Sequence, residues 1–286
     1  MAKLTFTTTA GWRESADFGC ASLGLAGLCN NSQVCASTYP LDIEGISLTG
    51  SYQEILSRIP ELSVQIHGAI VLFGNAGGEN AFIAKLLNMI RCPMVGGGAA
   101  IDPDTGKRAL ISGGGEAAVF LITDDRYIYE TRTQCIHENI LETCELELQD
   151  LRTISKINGM DAVEYLTAKK CGLGIAADDF EHMTLSDLNH VNAHLSVVDG
   201  VVKSGRDLCA RMLLRSVDHA DVYERMRAFY DDPDAIIFGC AGLSGLLDRP
   251  LQTNSLGLFL FGEVCTTANG AEFGNLMLSK LIIKHK

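Results

Sequence analysis

A chain of 286 residues that is 47% hydrophobic and 20% charged carries enough apolar material for a substantial core, which excludes a disordered polymer. Its formal net charge of −12 excludes a basic footprint for nucleic acid. No apolar run reaches the roughly 18–20 residues that span a bilayer, and the first residues lack the apolar stretch of a signal peptide. A soluble, cytoplasmic protein without nucleic-acid or membrane partners is therefore expected. Its ten cysteines are scattered with no Cys-x-x-Cys pair, a distribution that suits reduced, packed thiols better than zinc or a disulfide framework.

In chain order, residues 4–9 and 34–39 read as short strands on either side of a Gly- and Ser-rich stretch, 18–31. Apolar residues at 55, 56, 59, 62 and 66 recur at helical spacing, interrupted by Pro60. A β-branched strand at 69–73 precedes an amphipathic helix at 80–90, which Cys92-Pro93 ends. Residues 94–100 read as a strand entering a glycine turn. Asp102-Pro103-Asp104-Thr105-Gly106 separates it from strands at 107–112 and 116–122. Alternation predicts strands at 126–136, 142–148 and 151–157, then a helix at 162–169. Residues 171–194 have no dominant period. A hairpin is expected at 195–203 around Asp199-Gly200, and the longest helical stretch, with two or more breaks and apolar positions at 208, 212, 213, 217 and 222, at 206–230, stopped by Asp231-Asp232-Pro233. Extended segments at 234–242, 257–264 and 276–283 complete the chain.

One pattern occurs twice. Residues 68–78 read Gly-Ala-Ile-Val-Leu-Phe-Gly-Asn-Ala-Gly-Gly, and residues 234–242 read Asp-Ala-Ile-Ile-Phe-Gly-Cys-Ala-Gly. In each copy an apolar strand ends in a small-residue turn, and a glycine-bearing extended segment follows about twenty residues later: Val95-Gly96-Gly97-Gly98-Ala99, then Leu260-Phe261-Gly262-Glu263-Val264. The expected fold is mixed α+β, two pseudo-repeated halves with mixed β-sheets flanked by helices, divided near residue 150. The copies differ in their turns, Asn75 against Cys240 and Gly97 against Glu263. A seam between related halves is a natural place for a small-molecule ligand.

Four motifs in order carry a family resemblance. Ser155-Lys156-Ile157-Asn158-Gly159-Met160-Asp161-Ala162-Val163-Glu164-Tyr165-Leu166 resembles the Asn/Asp-Gly-x-x-Ala-x-x-x-Tyr element that opens the C-terminal FIST domain. Phe238-Gly239-Cys240-Ala241-Gly242 resembles its Phe-x-Cys-x-Gly turn. Phe259 to Val264, followed by Gly270 and Asn275, resembles its closing Gly-Glu segment, and Pro93 to Ala100 resembles the glycine signature of the FIST N-terminal domain. The resemblance implies a sensory, signal-transducing module with an N-terminal-like half at 1–150 and a C-terminal-like half at 151–286. It implies a small ligand, an amino acid being the usual suggestion, and a signalling partner. No cofactor is implied, and a homo-oligomer is compatible with the sequence.

Candidate ligand residues are Asn75, Gly97, Gly98, Cys240, Glu263 and Asn275. Glu263 stands in an apolar strand, where an unpaired carboxylate is expensive to bury, so a ligand amine, a basic side chain or backbone N–H groups should meet it. The Gly74–Asn80 turn opens a helix, where N–H groups favour an anion, but it lacks a P-loop's Gly-Lys-Ser/Thr. Gly113-Gly114-Gly115 suits a turn or bulge better than an anion nest. Cys240 lacks an identifiable histidine partner, so a packed thiol is favoured over a nucleophile; an enzyme using Cys240 or Glu263 on a small metabolite is the alternative. Gly242-Leu243-Ser244-Gly245-Leu246 lacks the last glycine of a nucleophile elbow. His190 and His194 would share a helix face with His182 and Asp187 nearby, and a solvated polar face is favoured there over metal.

Overall fold

A computed structural model describes residues 2–7, 38–74, 77–98, 115–247, 249, 256–260 and 262–286. The elements are β1 (Ala2–Thr7), β2 (Thr38–Gly50), α1 (Tyr52–Arg58), β3 (Gly68–Phe73), α2 (Glu79–Ile90), β4 (Met94–Gly98), β5 (Ala117–Ile122), β6 (Tyr127–Cys135), β7 (Asn139–Asp150), β8 (Thr153–Ile157), β9 (Met160–Asp161), α3 (Ala162–Gly172), β10 (Met183–Ser186), β11 (Asn192–Ala193), β12 (Leu195–Val198), β13 (Val201–Ser204), β14 (Arg211–Ser216), α4 (His219–Tyr230), β15 (Ala235–Cys240), β16 (Leu256–Leu260), β17 (Glu263–Thr267), β18 (Gly270–Gly274) and β19 (Met277–His285). The fold is mixed α+β.

The repeated sequence pattern corresponds to a repeated pairing scheme. In the first copy β2, β5, β3 and β4 are neighbours in that order; β3 runs parallel to β4 and antiparallel to β5. In the second copy β6, β19, β15 and β16 are neighbours in that order; β15 runs parallel to β16 and antiparallel to β19. The segment from β7 to β14 builds a separate eight-stranded sheet, order β11-β10-β14-β7-β8-β13-β12 with β9 on β8, between the second copy's first strand and its remaining ones. Residue 150 is the end of β7, inside that sheet.

Alternation along the strands explains how the layers stack. Ile70 and Leu72 of β3 and Val95 of β4 face Ile236 and Phe238 of β15, with Phe120, Leu260 and Leu281, in one apolar layer between the two repeats. On its other face the first sheet packs Ala69, Val71 and Phe73 against Ile55 of α1 and Phe82, Ile83 and Leu86 of α2. The second sheet packs Ala235 and Ile237 against Val222, Met226 and Tyr230 of α4. The result is helix, sheet, sheet, helix, with a dry interior between the repeats. The eight-stranded sheet has its own core under α3, including Cys144, Ile154, Tyr165, Leu166 and Leu214.

Two expectations require correction. Residues 206–230 are not one helical stretch: Arg211–Ser216 is β14, paired with β7 and β10, and the helix starts only at His219 after the Asp218 cap. Apolar residues at 208, 212, 213 and 217 recur at helical spacing while the buried Met212 and Leu214 alternate at strand spacing, so periodicity alone could not separate the two. The segment 257–264 is likewise not one strand. It breaks at Gly262 (φ 99°), with β16 in the second copy's sheet and β17 in the first copy's.

That break lets β17 and β18 cross to β4 and extend the first sheet to seven strands, order β1-β2-β5-β3-β4-β17-β18. The junction is tight. Gly98 N–H donates to Gly262 O at 2.9 Å. A Cβ on Gly97 would lie 2.0 Å from Gly262 O, closer than atoms can approach. Gly97→Ala should therefore lower unfolding free energy by about 2–4 kcal/mol in urea denaturation. A loss below about 0.5 kcal/mol, the scale of neutral surface changes, would contradict the crossing.

Candidate functional site

The crossing brings five of the six nominated residues together; Asn75 lies outside the described residues. Glu263 pairs across the ladder with Gly97, and Gly98 bonds to Gly262. Cys240 ends β15 with its thiol beside the Glu263 carboxyl. Asn275 occupies the turn after β18, where a Cβ on Gly262 would sit 2.8 Å from its Nδ2. The next residue, Leu276, is fully buried with φ 53°, an uncommon conformation for a residue bearing a Cβ.

Glu263 is the central group. It has no exposed surface; its Oε2 accepts the Met277 N–H at 3.2 Å, while Oε1 has no hydrogen-bond partner. Burial pushes its carboxyl well above the ordinary carboxylate value, and the Met277 N–H, the Cys240 thiol and the Gly262 backbone offset this only in part. Burial also pushes the Cys240 thiol up, with the Glu263 charge adding to it. Such a thiol is poor in thiolate, the form a nucleophile needs. The Cys265 thiol is likewise raised by burial. All seven described cysteines are free: 92, 135, 144, 171, 209, 240 and 265.

Beneath this group lies a polar network that sequence patterns did not single out. Asn192 donates through Nδ2 to Leu276 O at 3.2 Å, and its carbonyl accepts the Asn275 N–H at 2.9 Å. The same Nδ2 lies 3.3 Å from His137 Nδ1, and His137 Nε2 is 2.6 Å from Glu181 O. A carbonyl can only accept, so this network assigns the proton to Nε2 and leaves Nδ1 as the acceptor. Burial depresses His137 to about 4, so the ring is neutral near pH 7.

Two further residues, Glu79 and Arg152, border the site. Glu79, the first residue of α2, is 1% exposed; its Oε2 accepts from Gly77 N–H at 2.9 Å and from Arg152 Nη2 at 2.7 Å. The position that the helix-opening turn offers to an anion is thus taken by the chain's own carboxylate. A glutamate just inside a helix start was the available signal, but that position reads as solvent-exposed until α2 is packed on β18. Asn80 Oδ1 fixes this packing by accepting the Phe273 N–H at 2.7 Å.

The histidine expectation needs correction: residues 190–194 form no helix. His190 is in a turn with φ 63° beside Arg215 Nη2, and His194 Nε2 lies 3.9 Å from Glu181. Among the described residues no group of three His, Cys, Asp or Glu side chains is placed to hold a metal. No helix among them is long and apolar enough to cross a membrane. Ala241–Leu246 forms a 3-10 turn, and Gly115 packs closely on Gly50. Among the described residues clefts open on the eight-stranded sheet, about 330 Å³ beside Lys156 and Asp161 and about 260 Å³ beside Asp179 and His182, and none of the six candidate ligand residues lines either.

The raised Glu263 carboxyl has a signed consequence. Above its ordinary value of 4.5 the unfolded chain releases a proton that the folded chain retains, so this group's contribution to stability falls as pH rises. Glu263→Gln, a neutral isostere, should gain stability over the parent progressively as pH rises above 4.5 in urea titrations. A difference that is constant with pH would contradict the assignment. No protein-family model and no curated protein matches the chain.

Proposed function

We propose that the protein is a FIST-like sensory module that binds a small, amino-acid-like metabolite where the two repeats meet. The ligand contacts Gly97, Gly98, Cys240, Glu263 and Asn275, with Asn75 assigned from the sequence. The observation that carries this reading is the open Oε1 of a fully buried Glu263. An unmet buried polar atom costs about 1–3 kcal/mol, more than a typical hydrogen bond returns, and a ligand donor or acceptor would remove that cost. The reading uses the strand ends because the rest of the interface is apolar packing. Ligand binding stiffens the crossing, and a signalling partner reads the shift between open and closed populations. The acidic composition and unpaired thiols support a cytoplasmic setting.

A thermal-shift titration with small amino-acid-like metabolites should show stabilisation of the parent and loss of most of it in Glu263→Ala. Full stabilisation retained in Glu263→Ala would remove Glu263 from the site. The alternative, an enzyme with Cys240 as nucleophile, is disfavoured by that thiol's burial and raised pKa. A thiol reagent at pH 7 should label Cys240 only on unfolding. Fast labelling of the native chain, blocked by a metabolite, would favour the enzyme.

A further inference from the structure

The turn from β3 into α2 holds a second buried carboxylate with an unmet oxygen. Glu79 Oε1 has no hydrogen-bond partner, and the residue is 1% exposed. Its other oxygen belongs to a cluster centred on Arg152. The guanidinium donates through Nη2 to Glu79, through Nε to Asp207 Oδ1 at 2.6 Å and through Nη1 to Gly205 O at 3.3 Å. Two carboxylates therefore share one guanidinium, and the cluster is one positive charge short of balance.

The cluster adjoins the Glu263 site. A Cβ on Gly205 would lie 2.5 Å from Asn275 Oδ1, and the Asn275 amide in turn abuts Gly262, the residue before Glu263. The path from Glu79 to Glu263 thus runs through Arg152, Gly205, Asn275 and Gly262. The two open oxygens differ in character. Glu79 is ion-paired with Arg152, whereas burial strengthens the hold of the Glu263 carboxyl on its proton.

We propose that Glu79 is the ammonium-reading residue of this site, and that the ligand carries a protonated primary amine that donates to Glu79 Oε1. This rests on the ligand-binding reading of the Glu263 site and adds to it the second recognition point and the charge of the group recognised there. An organic ammonium fits better than a metal ion because, among the described residues, the side chains bonded to Arg152 are Glu79 and Asp207, and Arg152 occupies one oxygen of each. Arg152 acts as a positioning residue: it fixes the Glu79 rotamer so that one oxygen is engaged and the other is left open.

The test is a thermal-shift and calorimetric titration of the full chain with the common L-amino acids, their N-acetyl forms, and potassium and magnesium chloride alone. The expected result is that at least one free amino acid stabilises the parent and its N-acetyl form does not. Glu79→Gln should weaken that binding by about tenfold or more, the scale of one charge-assisted hydrogen bond, while its far-UV spectrum stays native. Should Glu79→Gln fail to fold, Glu79→Asp, which keeps the charge and retracts the oxygen, should show a smaller ligand-induced rise above its own ligand-free Tm than the parent does.

If a free amino acid stabilises the parent and Glu263→Gln weakens it while neither Glu79 variant does, the ammonium assignment falls and the Glu263 site stands. Equal binding of the N-acetyl form has the same meaning, as does a Glu79-dependent shift with a metal chloride alone. If no probe stabilises the parent, both readings fall.

Discussion

The structure depends on one close approach: the backbone of Gly97 in β4 against that of Gly262 at the head of β17. Neither position leaves room for a Cβ. With that contact in place, the chain leaves the second repeat's sheet at Gly262, pairs Glu263 with Gly97, and returns through Asn275 and Leu276 to β19. The exchange is what places a carboxyl, a thiol and an amide from the second repeat against glycines of the first.

The location of the chemistry follows from the packing. Between the repeats the facing residues are mostly Ile, Leu, Val and Phe, joined by Ala118 and Tyr129. Polar side chains gather where the parallel strands β3, β4, β15 and β16 end, the crevice in which open α/β sheets place ligands. There the protein tolerates two buried carboxyl oxygens without partners, on Glu79 and Glu263. Each costs about 1–3 kcal/mol, comparable to burying a large apolar side chain, so two at one locus are a burden on a marginally stable chain. Apolar residues in both places would relieve it. Their presence is the physical basis for assigning the locus a binding role.

Much of this was legible in the sequence. The apolar run 69–73 and its copy ending at Cys240 are β3 and β15, central strands of equivalent pairing, and the amphipathic pattern at 80–90 is α2. The differences between copies, Gly97 against Glu263, mark the point where the sheets exchange a hairpin. What escaped detection depended on tertiary contact. Leu208/Met212 and Leu213/Val217 fit a helical period while Met212 and Leu214 fit a strand period, and only the partners β7 and β10 make that segment a strand. Gly262 looked like part of one strand because a left-handed φ leaves no periodic trace. Glu79 and Arg152 are 73 positions apart, and nothing in their local sequence shows that they meet.

The proposed site turns on Glu263 being a buried carboxyl that holds its proton above the ordinary carboxylate range. Infrared spectroscopy of the carboxylic-acid C=O stretch at neutral pH tests it most directly. The account predicts a band present in the parent, absent in Glu263→Gln, and shifted to lower frequency when a ligand bonds to it. Absence of the band at neutral pH, with an ionised carboxylate in its place, would contradict the account.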